Sequence, residues 1–539
     1  MRFRLCLAAL ALATLAAPGA AAQALPEPLV DGVEVRLVRD LPTATLRIAH
    51  DPSSGALYAL TFGGDLYRIA PPYATSAAVP VASAATHGAS ARTLGLAVAT
   101  DGTVYLSGND RTDTHALVRI VRGRETGGVW AWETVAETVP YPRSGTAFDH
   151  DPSAITISDD GASLFVSFGS RTGHGEVQDN DGAFPGLREI PLTSAILRIP
   201  ADATDLALPN DEAALRALGV FFADGFRNPF DSALDPDGEL FVADNAGDRD
   251  DPDEINWVRE GLHYGFPWVI GGNLTPQQFP GYDPDDDPLV SPESYAYVNG
   301  FFYDDPTYPA PPAGVSFAEA VRNLGPDADL FRDETTGEIR DASATAIGIA
   351  SLTPHRSPLG LVFDRAGALP EPYTRDGFVL SYTAPTNPLL APFGDEGEDL
   401  LHLTMSPDRG TMQSVRLARG FSGPVDAVLL GETLYVAEFA ATRLVAVEIG
   451  TPIPTEPPPE GVPGLTVWPN PAADRLRVTG VGSSLPIRLT IVDALGRTVR
   501  VAHDAPLAGP LSVDIRALAP GPYVIRLEGG KAVPFIIAR

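Results

Sequence analysis

The chain has one cysteine, Cys6, and one lysine, Lys531, in 539 residues. A single thiol excludes a disulfide framework and any zinc site built on cysteines. Positive charge is scarce and almost all arginine: Lys+Arg is 38 against Asp+Glu 69, a formal net charge of −31. Such a field repels a polyanion, so nucleic acid is excluded as a partner. Beyond the first 25 residues no apolar run is long enough to span a bilayer, and no transmembrane segment is expected. There is no P-loop, no G-x-S-x-G elbow and no H-E-x-x-H, and the nine histidines are scattered.

What the chain does have is apolar content, 44%, with Gly 52 and Pro 52, the composition of a folded, turn-rich protein. The first 22 residues read as a secretory signal peptide: Arg2 and Arg4, a short apolar core, then Pro18-Gly19 and a run of alanines as a small-residue cleavage site. The acidic, lysine-poor composition suits a salty medium, where screening relieves self-repulsion.

One pattern recurs from residue 31 to 450. A short apolar strand is followed by a turn, usually with Asp or Gly, and then by a second strand carrying an aromatic and Val or Leu. The copies are residues 46–60, 94–106, 153–166, 230–242, 359–380 and 425–436. Most are followed by a third strand, as in Leu66-Tyr67-Arg68-Ile69 and Ile196-Leu197-Arg198-Ile199. Short alternating strands repeated at a coarse interval are the mark of propeller blades. The expected fold is all-β: a six-bladed β-propeller over 31–450, with residues 33–38 closing the last blade. The longest gap, 261–354, holds one helix-like piece at 316–324. Residues 451–464 form a Pro-rich linker, and 465–539 a small β-domain with strands at 475–479, 488–492, 511–515 and 523–527.

In a propeller the first strand of every blade lines the central channel, so the residues just before those strands meet around its mouth. Nine or ten residues before the turn aspartate stand Arg92 (before Asp101), His150 (Asp160), Arg227 (Asp237) and His355 (Asp364), with Arg356 beside the last. A cationic ring on so acidic a chain suits an anionic ligand. The acidic loop 244–256 carries oxygen donors of the kind that hold Ca²⁺.

These residues also carry a resemblance. Gly225-Phe226-Arg227-Asn228-Pro229, Asp235-Pro236-Asp237-Gly238, Asp253-Glu254-Ile255-Asn256 and Tyr264-Gly265-Phe266-Pro267 stand in the order found in the soluble glucose/sorbosone dehydrogenases, which this stretch resembles. The resemblance implies a six-bladed propeller, pyrroloquinoline quinone (PQQ), Ca²⁺, and oxidation of a sugar or polyol hydroxyl. It implies His150 as the base that takes the hydroxyl proton; with an ordinary imidazole pKa near 6.5, activity is expected to fall below that pH. Arg227 would bind the quinone, with Arg92, His355 and Arg356 completing the cationic ring, and the carbonyls of Ala246 and Gly247 would face calcium. The chain departs from the pattern at His150-Asp151-Pro152-Ser153-Ala154, where the family has H-x-G-G-R, and at Ser381-Tyr382-Thr383, where late-blade cations are expected. A non-catalytic propeller binding glycan or protein at the cell surface is the alternative.

The tail resembles a second family. Trp468-Pro469-Asn470-Pro471, Asp474-Arg475-Leu476, Val492-Asp493-Ala494-Leu495-Gly496-Arg497 and Leu518-Ala519-Pro520-Gly521-Pro522-Tyr523 are similar in order and spacing to the type IX secretion sorting domain. This implies an immunoglobulin-like β-sandwich, type IX secretion machinery as partner, and a secreted or cell-surface location.

Overall fold

The computed structural model describes residues 24–345 and 347–450 and, in the tail, the strands between 466 and 537 with parts of their connections. The expected signal peptide, with Cys6, and the expected linker 451–464 lie outside the described residues. Two compact units divide the chain, the larger formed by residues up to 342 and 348–452.

In the larger unit six antiparallel meanders start from the strands the repeats mark: Thr45–His50, Thr93–Val98, Ile155–Ile157, Pro229–Leu234, Pro358–Phe363 and Pro424–Leu430. Each of these pairs with the next strand in sequence, which pairs with a third. Each starting strand also packs against that of the next sheet, and the sixth packs against the first, so they close a cycle. They line a shared central cavity of about 350 Å³, to which Ile48, Ala97, Ile155, Ser232, Val362 and Val428 each contribute. Val33–Asp40 pairs with Arg443–Ile449 as the outermost strand of the sixth sheet, so both ends of the unit share one sheet, as expected from 33–38. Apolar side chains fill the wedges between sheets, for example Phe241 against Phe363 at 5.1 Å between ring centres.

The helix expected at 316–324 is absent. Arg322–Pro326 is instead a strand paired in parallel with Thr411–Arg419, and its burial alternates with period two, Asn323 and Gly325 facing inward. That alternation is a strand signal, and the apolar spacing before it was misleading.

The tail holds two antiparallel sheets, one of three strands (Thr466–Trp468, Arg475–Thr479, Leu511–Asp514) and one of four (Ser483–Asp493, Thr498–Leu507, Gly521–Leu527, Ala532–Ile537). Leu476, Val478, Ile491, Ile525 and Phe535 share one buried core.

Candidate functional site

The segments entering the third and fourth innermost strands are laced together through Ser170. The His150 N–H donates to the Ser170 carbonyl at 2.9 Å, and the Ser170 N–H donates to the Arg227 carbonyl at 2.7 Å. Glycine is required between them: a Cβ at Gly169 would collide with the His150 Cβ and lie 3.4 Å from the Arg227 carbonyl.

Ser170 also fixes the imidazole. Its hydroxyl donates to the Thr172 carbonyl at 2.7 Å, so towards the ring it can only accept. His150 Nδ1, 3.1 Å from Ser170 Oγ and 3.2 Å from its carbonyl, therefore carries the proton. Nε2 is left with the lone pair. Burial, with the Arg227 charge adding to it, holds the His150 pKa well below the ordinary 6.5. The expectation of an ordinary imidazole is corrected: this one stays neutral well into acid.

Arg227 does not offer its whole fork to a ligand. Nε donates to the Gly173 carbonyl at 2.8 Å and Nη1 to the Ala246 carbonyl at 2.7 Å, while its backbone N–H meets Asp244 Oδ2 at 2.9 Å. Nη2 makes no hydrogen bond among the described residues. The expected calcium carbonyl at Ala246 is thus already facing a cation. A divalent ion there would sit against the guanidinium, and the donor set does not fit calcium. Among the described residues no group of three or more His, Cys, Asp or Glu is placed to hold a metal. Gly247 follows in the same loop; a Cβ there would lie 3.5 Å from Arg227 Nε.

Asp253 anchors this loop by accepting from the Ala246 N–H at 2.7 Å and the Ser357 N–H at 2.9 Å. His355 is beside it, but its Nε2 is 2.7 Å from Asp250 Oδ1. Burial alone would depress its pKa; Asp250, Asp253 and Asp248 outweigh that and raise it. Arg356 is corrected outright. Fully buried, it is enclosed by Asp395, Asp399 and Ser381 and reaches no ligand space. The backbone turns sharply here, with φ of 65° at His355 and 54° at Ser357, which separates the His355 side chain from that of Arg356.

On the opposite side, Asp151 collects two arginines. Arg92 approaches Oδ2 with Nε at 3.2 Å and Nη2 at 2.6 Å, and Arg111 approaches Oδ1 with Nη2 at 2.5 Å. Arg111 also donates to the carbonyl of Asp149, next to His150, at 2.8 Å. The offset argument found Arg92 and missed Arg111, Asp151 and Ser170; the adjacency of His150 and Asp151 in sequence was the one available hint.

Residues 78–304 match the Glucose / Sorbosone dehydrogenase family, and 466–537 match the Secretion system C-terminal sorting domain. The first match includes Arg92, His150, Arg227, Ala246 and Gly247 and stops short of His355. No curated protein sequence matches. Among solved structures, the apo soluble aldose sugar dehydrogenase of Escherichia coli is 15% identical, with a TM-score of 0.48 over 77% of this chain and 99% of that one. The PQQ-bound aldose sugar dehydrogenase of Streptomyces coelicolor is 16% identical, with a TM-score of 0.44 over 78% and 99%. The PQQ domain of Coprinopsis cinerea pyranose dehydrogenase, in its holo form, is 14% identical, with a TM-score of 0.48 over 79% and 98%.

Proposed function

For a chain that carries a glucose/sorbosone dehydrogenase domain and a type IX secretion sorting domain, and so is destined for the cell surface or the medium, we propose a quinone-dependent dehydrogenase that oxidises a sugar or polyol hydroxyl. The six sheets are the blades of its propeller, and the two tail sheets form an immunoglobulin-like sandwich. The observation that carries this reading is His150: neutral, with Nδ1–H held by Ser170 and Nε2 free to accept.

The reaction removes a hydride from the carbinol carbon and a proton from its oxygen, leaving a carbonyl. PQQ, when bound, supplies the two-electron hydride acceptor. His150 Nε2 takes the hydroxyl proton, and Ser170 keeps the ring in that tautomer while the proton moves. The free Nη2 of Arg227 is the group that would hold a quinone carboxylate. Because Arg227 already occupies the Ala246 carbonyl, no step is assigned to calcium.

Titrating the purified full chain with PQQ, followed by a sugar and polyol panel with an artificial electron acceptor, tests the proposal. Saturable quinone binding with sugar-dependent turnover that is lost in His150→Ala is expected. Absence of quinone binding would overturn it. The second reading, a propeller that binds glycan or protein without chemistry, is favoured by the engagement of His355 with Asp250 and of Arg356 with Asp395 and Asp399, which leaves few cations for a multiply charged cofactor.

A further inference from the structure

Around the segment that leads into the third innermost strand, three guanidiniums meet two carboxylates. Asp151 is shared by Arg92 and Arg111, and Asp149 pairs with Arg143 at 3.2 Å. One positive charge is left over. Burial lowers the pKa of Arg143; Asp149 and Asp151 pull it back up, and the charges of Arg111 and Arg92 push it down. Three donors of this cluster are unspent among the described residues, Arg143 Nε being buried without a partner. Arg111 Nε is buried and makes no hydrogen bond, and Arg92 keeps Nη1 off Asp151. The Arg92 side chain is 41% exposed and its guanidinium lies 5.8 Å from the centre of the Phe62 ring, a flat wall on which it is held extended. Asp151 follows His150 directly, so the surplus charge is anchored one residue from the proton acceptor.

We propose that this cluster selects an acidic sugar, a hexuronate or similar polyhydroxy carboxylate, by pairing its carboxylate with Arg92 while its oxidisable hydroxyl faces His150. The proposal rests on the dehydrogenase reading and names the substrate class for that site. Arg92 and Arg111 thereby act on the substrate and not on the quinone. The chain's charge of −31 does not forbid the approach. At physiological salt, fields are screened beyond about 8 Å, so the nearest charges decide.

Calorimetric titration of the full chain, without quinone, should compare glucuronate and galacturonate with glucose and galactose at low salt. A charge-assisted contact at a partly exposed arginine predicts a uronate preference of about tenfold. That preference should shrink with added NaCl, vanish in Arg92→Gln and survive in part in Arg92→Lys. Equal affinities, no uronate binding, or an unchanged preference in Arg92→Gln would overturn the proposal. The two readings fail separately. Uronate preference without turnover after quinone loading would remove the dehydrogenase and leave the recognition site. Turnover of neutral sugars with no uronate preference would do the reverse.

Discussion

The guanidinium of Arg227 donates Nη1 to the carbonyl of Ala246 at 2.7 Å, so the arginine expected to hold a cofactor is bonded to the carbonyl expected to hold calcium. The two roles exclude each other in this arrangement. Millimolar CaCl₂ should therefore leave the melting temperature of the chain unchanged. Arg227→Gln should cost stability on the order of 2–4 kcal/mol, because it strips donors from the buried Gly173 carbonyl and the half-buried Ala246 carbonyl together. Thermal scans of both proteins with and without calcium check this; a clear calcium-induced rise in the wild type would show that Arg227 gives way to the ion.

His150 sets the pH dependence of turnover. A base must be unprotonated, and burial with the Arg227 charge depresses its pKa well below 6.5. The acid limb of kcat/KM should lie below pH 6.5, with activity retained where an ordinary imidazole would be protonated. Replacing Ser170 by Ala removes one acceptor from Nδ1 and should lower kcat more than it raises KM, since the ring loses orientation and not contact with substrate. A limb at or above pH 6.5 in the wild type would contradict the buried, neutral imidazole.

The starting strand of every sheet was legible because small apolar strands, turn residues and aromatic strands alternate in the open. The strand at 33–38 that closes the sixth sheet was legible for the same reason. An offset of nine or ten residues before the turn aspartate picked out Arg92, His150, Arg227 and His355, each in the segment that enters a starting strand. Which way each side chain turns was not legible. Arg356 was included as the neighbour of His355, yet its partners Asp395 and Asp399 lie some forty residues further on and show no local signal. Arg111 and Ser170 act through Asp151 and the His150 ring, pairings that only the fold creates. Ala246 carried no polar side chain to read, and its carbonyl is claimed by Arg227 from the segment before another strand.

Arg356 is then a structural residue. Asp399 and Asp395 are buried with it, and Arg416 reaches both, at 2.6 and 3.0 Å. Substituting Arg356 by Met leaves two buried carboxylates with one guanidinium between them, and losing a buried partner costs about 3–5 kcal/mol. Chemical denaturation should show a loss of that size. The affinity for quinone in the fraction still folded should be unaltered. A mild stability change with weakened quinone binding would return Arg356 to the site.

The central cavity has its own pH signature. Arg47 lies between Asp231, at 3.0 Å, and Asp426, at 3.8 Å, so one guanidinium faces two buried carboxylates. Burial pushes Asp426 up to about 7, against the attraction of Arg47 and with help from Asp231. Glu254, buried near Asp244, is pushed up to about 8. A carboxyl group whose pKa is higher folded than unfolded holds a proton in the native state that the unfolded chain releases near pH 4. Its contribution is whole below that pH and is lost as the pH rises through the folded value. His150, shifted down, changes stability only below about pH 6.5 and is silent above it. Between pH 6.5 and 8 the stability of the larger unit should therefore fall, on the order of 2 kcal/mol from Asp426 and Glu254 together. Glu254→Gln should flatten the slope. Its amide keeps an oxygen for the Gly271 N–H, now 2.8 Å from the carboxylate. It also brings a donor towards Asn256, whose Oδ1 is buried without a partner and which a protonated Glu254 would serve in the same way. Urea denaturation at the two pH values, on the wild type and on Glu254→Gln, measures both slopes. Stability that rises from pH 6.5 to 8 in the wild type would mean that these carboxyl groups ionise at ordinary values and that water reaches them.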